Sequence, residues 1–134
     1  MNSLQGTIVD IEVSGQLSLV TVEVHPKTFI KAIVVETPES ADYLKKGQAI
    51  NTLFKETEVV IGVGESFHIS LQNRITGTIK SMDKGALLGK VVLETQMGEI
   101  TSIISSSAID QLKLRNNSPA TALIKLNEVM LAKL

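Results

Sequence analysis

Cysteine is absent from this chain of 134 residues, which excludes disulfides, zinc–thiolate sites, iron–sulfur clusters and thiol catalysis. Tryptophan is absent too, and three phenylalanines and one tyrosine are the only aromatics. Single-stranded nucleic acid is bound largely on aromatic platforms, so that role is disfavoured. A formal net charge of −1 gives no general basic field for nucleic acid or an anionic membrane. No apolar run approaches the roughly 20 residues of a membrane span. The opening Met1-Asn2-Ser3-Leu4-Gln5 also lacks the charged and apolar regions of a secretion signal. A cytoplasmic protein without membrane insertion is the expectation. Catalytic constellations are missing as well: there is no His-x-Glu, GxSxG, GxGxxG or phosphate loop. His25 and His68 each stand beside a turn and read as surface histidines. We therefore expect no enzyme, no catalytic residues, no metal ligands and no covalent cofactor. Binding is the better reading.

What the chain does contain is a repeat. Leu4-Gln5-Gly6-Thr7-Ile8 returns as Ile75-Thr76-Gly77-Thr78-Ile79, an offset of 71 from Gly6 to Gly77. Val20-Thr21-Val22-Glu23 returns at the same offset as Val91-Val92-Leu93-Glu94. Asn51-Thr52-Leu53-Phe54-Lys55 matches Thr121-Ala122-Leu123-Ile124-Lys125 at an offset of 70, so one residue was gained or lost between. This spacing exceeds the helical-hairpin and leucine-rich periods and reads as two copies of a small domain. A unit that short buries only about 60% of its unfolded surface, so the copies should pack on each other or on other chains.

Both copies read as β-structure. Runs rich in valine, isoleucine and threonine recur between glycine and polar breaks. In the first copy strands are expected over 6–13, 17–24, 29–35, 49–55 and 58–61. A short helix over 36–46 should open at Thr37-Pro38 and close at Gly47. The second copy repeats the plan with strands at 73–82, 89–95, 99–105, 120–125 and 129–131 and a helical turn over 106–112. Proline in His25-Pro26-Lys27 turns the chain, because it cannot donate to a central ladder. The expected fold is all-β: two tandem OB-like five-stranded barrels, each with one short helix. Residues 1–61 form the first domain, 62–69 a linker and 70–134 the second domain.

The unusual local feature is Thr101-Ser102-Ile103-Ile104-Ser105-Ser106-Ser107-Ala108, where an apolar strand meets a helix start. Free N–H groups and rotatable hydroxyls there could cradle an oxyanion. Ser105 or Ser106 could equally be an ordinary N-cap, and the residues alone lean that way. Lys125, read alone, is a solvated strand-end lysine.

Ser70-Leu71-Gln72-Asn73, Gly77-Thr78-Ile79, Lys84-Gly85-Ala86, Leu114, Thr121-Ala122-Leu123-Ile124-Lys125 and Asn127-Glu128-Val129-Met130-Leu131-Ala132 follow one known pattern in order and spacing. The chain resembles the molbindin, or Mop-domain, family over residues 70–132, and more loosely over 2–61. The same module occurs as the TOBE domain of molybdate importer ATPases and in a molybdate-responsive repressor. With neither an ATPase nor a helix-turn-helix in this sequence, the resemblance implies a free-standing di-Mop protein. It implies molybdate or tungstate as bound ligand, storage or homeostasis as role, and a homotrimer as assembly. An alternative is a regulatory or interaction TOBE-type module of a molybdate transporter or regulator whose anion site has partly decayed.

The resemblance also implies a site. Ser105 falls at the family's ligand-binding threonine and Lys125 at a lysine beside the anion. Ser70 and Asn73 fall in its Ser-x-Arg-Asn motif, which reaches a site at the interface with another domain or chain. Gln72 replaces the arginine, exchanging a charged donor for a neutral amide. Ala108 replaces a second serine, for which Ser106 and Ser107 are neighbours able to substitute. In the first copy Val35 and Pro38 occupy the hydroxyl positions, and of the site only Lys55 is kept, as a weak candidate. That copy is expected to serve mainly as scaffold.

Overall fold

The computed structural model describes Met1–Leu134 throughout. Ten strands form two five-stranded antiparallel sheets. The first copy supplies β1 (Asn2–Ser14), β2 (Leu17–His25), β3 (Thr28–Val34), β4 (Ala49–Phe54) and β5 (Val60–Gly62). The second supplies β6 (Asn73–Lys84), β7 (Leu88–Thr95), β8 (Gly98–Ser105), β9 (Pro119–Ile124) and β10 (Met130–Ala132), with helix α1 (Ser106–Gln111) after β8. No helix is long and apolar enough to cross a membrane.

Each copy donates its last strand to the other sheet. The orders are β10-β4-β1-β2-β3 and β5-β9-β6-β7-β8, with Met130 opposite Leu53 and Val60 opposite Leu123. The sheets are therefore interlocked. The expected count of five strands holds, but the expected barrels do not close. β3 and β10 approach each other, as do β8 and β5, yet no ladder joins them.

Two asparagines occupy those open edges. The Asn73 Nδ2 donates to Lys31 O at 2.9 Å, and Lys31 N donates to Asn73 Oδ1 at 2.8 Å. Asn2 makes the same pair with Thr101, both bonds at 2.8 Å. A carboxamide has the donor and acceptor of a peptide group, so each side chain pairs a free sheet edge as one residue of a further strand would.

Alternation decides the faces. Leu4 and Ile8, Val20 and Val22, Ile30 and Ala32, and Ile50 and Phe54 point inward with polar or exposed residues between them. The second copy repeats this with Ile75, Ile79, Val91, Leu93, Ile100, Ala122 and Ile124. Leu4, Ile30 and Phe54 of the first copy join Ile75, Leu93 and Ile124 of the second in one continuous core. A smaller cluster, including Val20, Ala41, Leu44 and Ile50, fills the first sheet under the 36–47 segment. A register shift recurs in both copies, between Ile8 and Asp10 and between Ile79 and Ser81, and bends β1 and β6 away from β4 and β9.

The expected first-copy helix over 36–46 is not formed. Thr37 O accepts from Ser40 N and Ala41 N, but the next bond, Leu44 N to Ala41 O, spans only three residues and does not continue an α-helix. The Ser40 hydroxyl accepts from Thr37 N, closing one turn locally and competing with helix propagation. Ala41 and Leu44 still reach the core, so apolar spacing there specified burial without a helix. β1 also begins at Asn2 rather than Gly6, because its first residues pair along β4 as far as Phe54.

Candidate functional site

The site residues expected from sequence fall into two groups. One gathers where β6 begins and β9 ends. Asn73 pairs with Ile124, so Lys125 continues β9 just beyond the ladder, beside Gln72. Lys125 is exposed, and the 3-10 turn Leu126–Glu128 that follows it packs on β3. Gln72 is exposed and lines a cleft of about 420 Å³ with Phe29, Lys31, Asn73 and Arg74. Asn73 is 1% exposed and its carboxamide is committed to Lys31, so it builds the wall of this cleft.

Ser70 lies in an exposed irregular segment that Arg74 organises. The guanidinium donates to Leu71 O at 2.7 Å, Ile69 O at 3.0 Å and Phe67 O at 3.1 Å, and stands over the Phe67 ring at 5.7 Å. Its planar fork of donors suits three carbonyls at once, which a lysine could not match.

The second group is the start of α1. Ser105 is the N-cap, in extended conformation, and its Oγ accepts from Ala108 N at 3.1 Å. Its hydroxyl also shares a hydrogen bond with Ser107 Oγ 3.3 Å away, in which either oxygen can donate, so the pair has one hydroxyl hydrogen to spare. Ser106 differs from expectation. It is 7% exposed and donates to Gly85 O at 2.7 Å, while its N–H goes to Leu87 O. These bonds tie α1 to the β6–β7 hairpin, so its hydroxyl is consumed by the fold. With the Ala108 N–H also committed, Ser107 N–H and one hydroxyl hydrogen of the Ser105–Ser107 pair are what this turn offers. The N-cap reading of the hydroxyl cluster holds for Ser105, whose hydroxyl is also shared with Ser107.

One chain does not bring the two groups together. Ser105 pairs with Leu88, next to the Lys84–Gly89 pair that ends β6, whereas Lys125 lies past the Asn73–Ile124 pair that begins it. The 12 residues of β6 lie between, a path of about 40 Å along the strand at about 3.3 Å per residue. Exposed apolar side chains, Leu87 at 81% and Leu88 at 61%, flank the Ser105 end.

The first copy presents different chemistry. Val35 and Pro38 are exposed, and a cleft of about 430 Å³ there is lined by Gln16, Val35, Glu36, Thr37, Glu39 and Ser40. Two carboxylates face the space where the second copy has hydroxyls, which opposes an anion. The Tyr43 hydroxyl donates to Glu36, and burial first, then that bond, pushes it up to about 12. Lys55 is exposed, and the 3-10 turn after it, Glu56–Glu58, packs on β8. The Met1 amine bonds Glu56 and holds its carboxyl below the usual range.

A further cleft of about 620 Å³ involves none of the expected residues and is lined by polar groups including Thr28, Arg74, Thr76, Thr78 and Glu94. Sequence reasoning missed Lys31 and Arg74, which line the Gln72 cleft, and the role of Asn2. The repeat held a signal for the last: Asn2 and Asn73 stand at the offset of 71 seen for the glycines.

Comparison with known proteins places the chain among relatives of both copies. The TOBE domain model matches residues 69–131, the second copy. Molybdenum transport protein ModE of Herbaspirillum seropedicae is 30% identical over 133 residues, 98% of this chain and 49% of the relative. The chain spans about half the length of the curated relatives it matches end to end. Molybdenum-pterin-binding protein 1 of Clostridium pasteurianum is 38% identical over 64 residues, 47% of this chain and 94% of that protein. Among solved structures, the molybdate-bound cytoplasmic molybdate-binding protein ModG superposes with a TM-score of 0.91 at 27% identity, covering 99% of this chain and 96% of that one.

Proposed function

The chain belongs to the Mop/TOBE family of molybdenum-pterin-binding proteins, and from that premise we propose that it binds molybdate, or the similar tungstate, at sites completed between chains. Its role is cytoplasmic molybdenum storage or homeostasis, its form a homotrimer, and its repeat units 1–61 and 70–134 are joined by 62–69. The observation that carries the reading is the separation of the donors along β6. A small tetrahedral anion must find its donors within hydrogen-bond reach on all sides. Ser105 and Ser107 of one chain, facing Ser70, Gln72 and Lys125 of another, meet that requirement, and the exposed Leu87 and Leu88 beside Ser105 suit a protein–protein contact.

Selection follows from the donors. With a net charge of −1 the overall field does not gather dianions, so discrimination rests on fixed hydroxyl, amide and ammonium groups. Sulfate is smaller and leaves some donors unpaired, at about 1–3 kcal/mol each. Monoprotonated phosphate brings a hydrogen that a shell of donors does not accept. Molybdate and tungstate, close in size and fully deprotonated at neutral pH, bind alike. The first copy's own cleft, with Glu36 and Glu39 at its wall, is unsuited to an anion, and of the residues equivalent to the second copy's site it keeps only Lys55.

The test is thermal melting with each oxyanion. Molybdate or tungstate at about 100 times its dissociation constant stabilises by about 2.7 kcal/mol. Sulfate at the same concentration should leave the melting temperature near that of the free protein. Equal shifts for sulfate and molybdate would contradict the proposed selectivity, and no shift with any of them would contradict binding. The regulatory alternative, a module with a decayed site, corresponds to that last outcome.

A further inference from the structure

Gln72 leaves its end of the site without the charge that a guanidinium would give, and another residue of the same cleft carries a cation. Lys31, on β3 of the first copy, lines the cleft with Gln72, Asn73, Arg74 and Phe29. Its backbone is held on both sides by the Asn73 carboxamide, so the root of its side chain is fixed relative to β6. It is half-buried and makes no ion pair, whereas Lys46, Lys80, Lys84 and Lys133 are each paired with a carboxylate. Arg74, the other cation of the cleft, has its guanidinium taken by three backbone carbonyls. Lys125 stands at the neighbouring crossover, whose 3-10 turn packs on β3.

The two copies differ here. The partner of Asn2 on the other sheet edge is Thr101, so the symmetry-related position has no charge. Lys31 thus makes one of two similar seams cationic.

We infer that Lys31 is an oxyanion-binding residue, supplying from the first copy the positive charge that Gln72 does not supply from the second. An ammonium on a four-carbon stem rooted across the cleft from Gln72 donates a charge-assisted bond to the anion, with Lys125 on the adjacent side. The first copy is then more than scaffold, since its third strand completes the second copy's site. This rests on the molybdate reading above.

The experiment is calorimetric titration of the intact protein with sodium molybdate, comparing wild type with Lys31→Met, Lys31→Met/Gln72→Arg, and a surface control, Lys45→Met. Methionine keeps the unbranched stem, so packing on β3 is retained, and matched circular dichroism melts verify the fold. Lys31→Met should weaken binding by about tenfold or more. The double variant should recover most of that loss, because Gln72→Arg returns a cation to the cleft, and the control should match wild type. Wild-type affinity in Lys31→Met overturns the inference while leaving molybdate binding intact. A loss that Gln72→Arg does not recover overturns it too, since Lys31 would then act through something other than charge. Absence of binding by the wild type overturns the parent proposal and this one together.

Discussion

Removing the Asn73 carboxamide would leave the Lys31 N–H and C=O unpaired at a partly buried sheet edge. Each such group costs about 1–3 kcal/mol, and water reaches part of this edge, so Asn73→Ala should cost about 2 kcal/mol in urea denaturation. Asn2→Ala should cost a similar amount, because it breaks the same pair with Thr101. A loss below about 0.5 kcal/mol in both would mean that the carboxamides do not hold the seam. Tyr43 gives a second residue-scale expectation. Burial and the bond to Glu36 push its hydroxyl up to about 12 from the ordinary 10.0 of a tyrosine, so the folded state holds its proton more tightly. That contribution is complete below the unfolded value and is lost as pH rises from about 10 to about 12. Tyr43→Phe should therefore flatten the alkaline fall of stability across that window, and an unchanged slope would contradict the assignment. Residue roles were only partly legible beforehand. Ser105, Gln72 and Lys125 were marked by the family resemblance and stand at the surface in the fold, whereas Asn73 and Ser106 carry side chains equally suited to an anion or a carbonyl. Only the fold showed that carbonyls had taken them.

Among the elements, α1 separates folding from binding most cleanly. Ser105 caps it through Ala108 N, a bond that aspartate would also make, with its charge favourably placed at the helix start. Ser105→Asp should thus melt within a few degrees of wild type, yet weaken molybdate by at least about tenfold through charge repulsion between carboxylate and anion. Retained affinity in a folded variant, read by calorimetry, would remove the α1 turn from the site. Most strands were legible because alternation and turn residues mark them, and β2, β7 and α1 lie within a residue or two of expectation. The first-copy helix was misread because Ala41 and Leu44 have helical spacing while Ser40 closes a single turn. The exchange of β5 and β10 had no signal in the sequence. Val60-Ile61-Gly62 and Met130-Leu131-Ala132 are interchangeable as short apolar strands, and which sheet takes each is decided by chain path.

The exchange makes the two copies one folding unit with a shared core, and leaves donors at separated ends of β6. On the proposed reading, assembly supplies what a single chain does not. Both copies also keep exposed apolar residues at the ends of their long hairpins, Val13 and Leu17 in the first and Leu87 and Leu88 in the second. Such residues are single exposures on a monomer but become a contact when chains meet end to side. Native mass spectrometry with and without molybdate tests this directly, since it reads chain number and anion count in one spectrum. The expected result is a three-chain species that gains molybdate only as the assembled oligomer, with no anion on any residual single chain. A monomer that carries bound molybdate would contradict the account, because it would place all the donors of one site within a single chain.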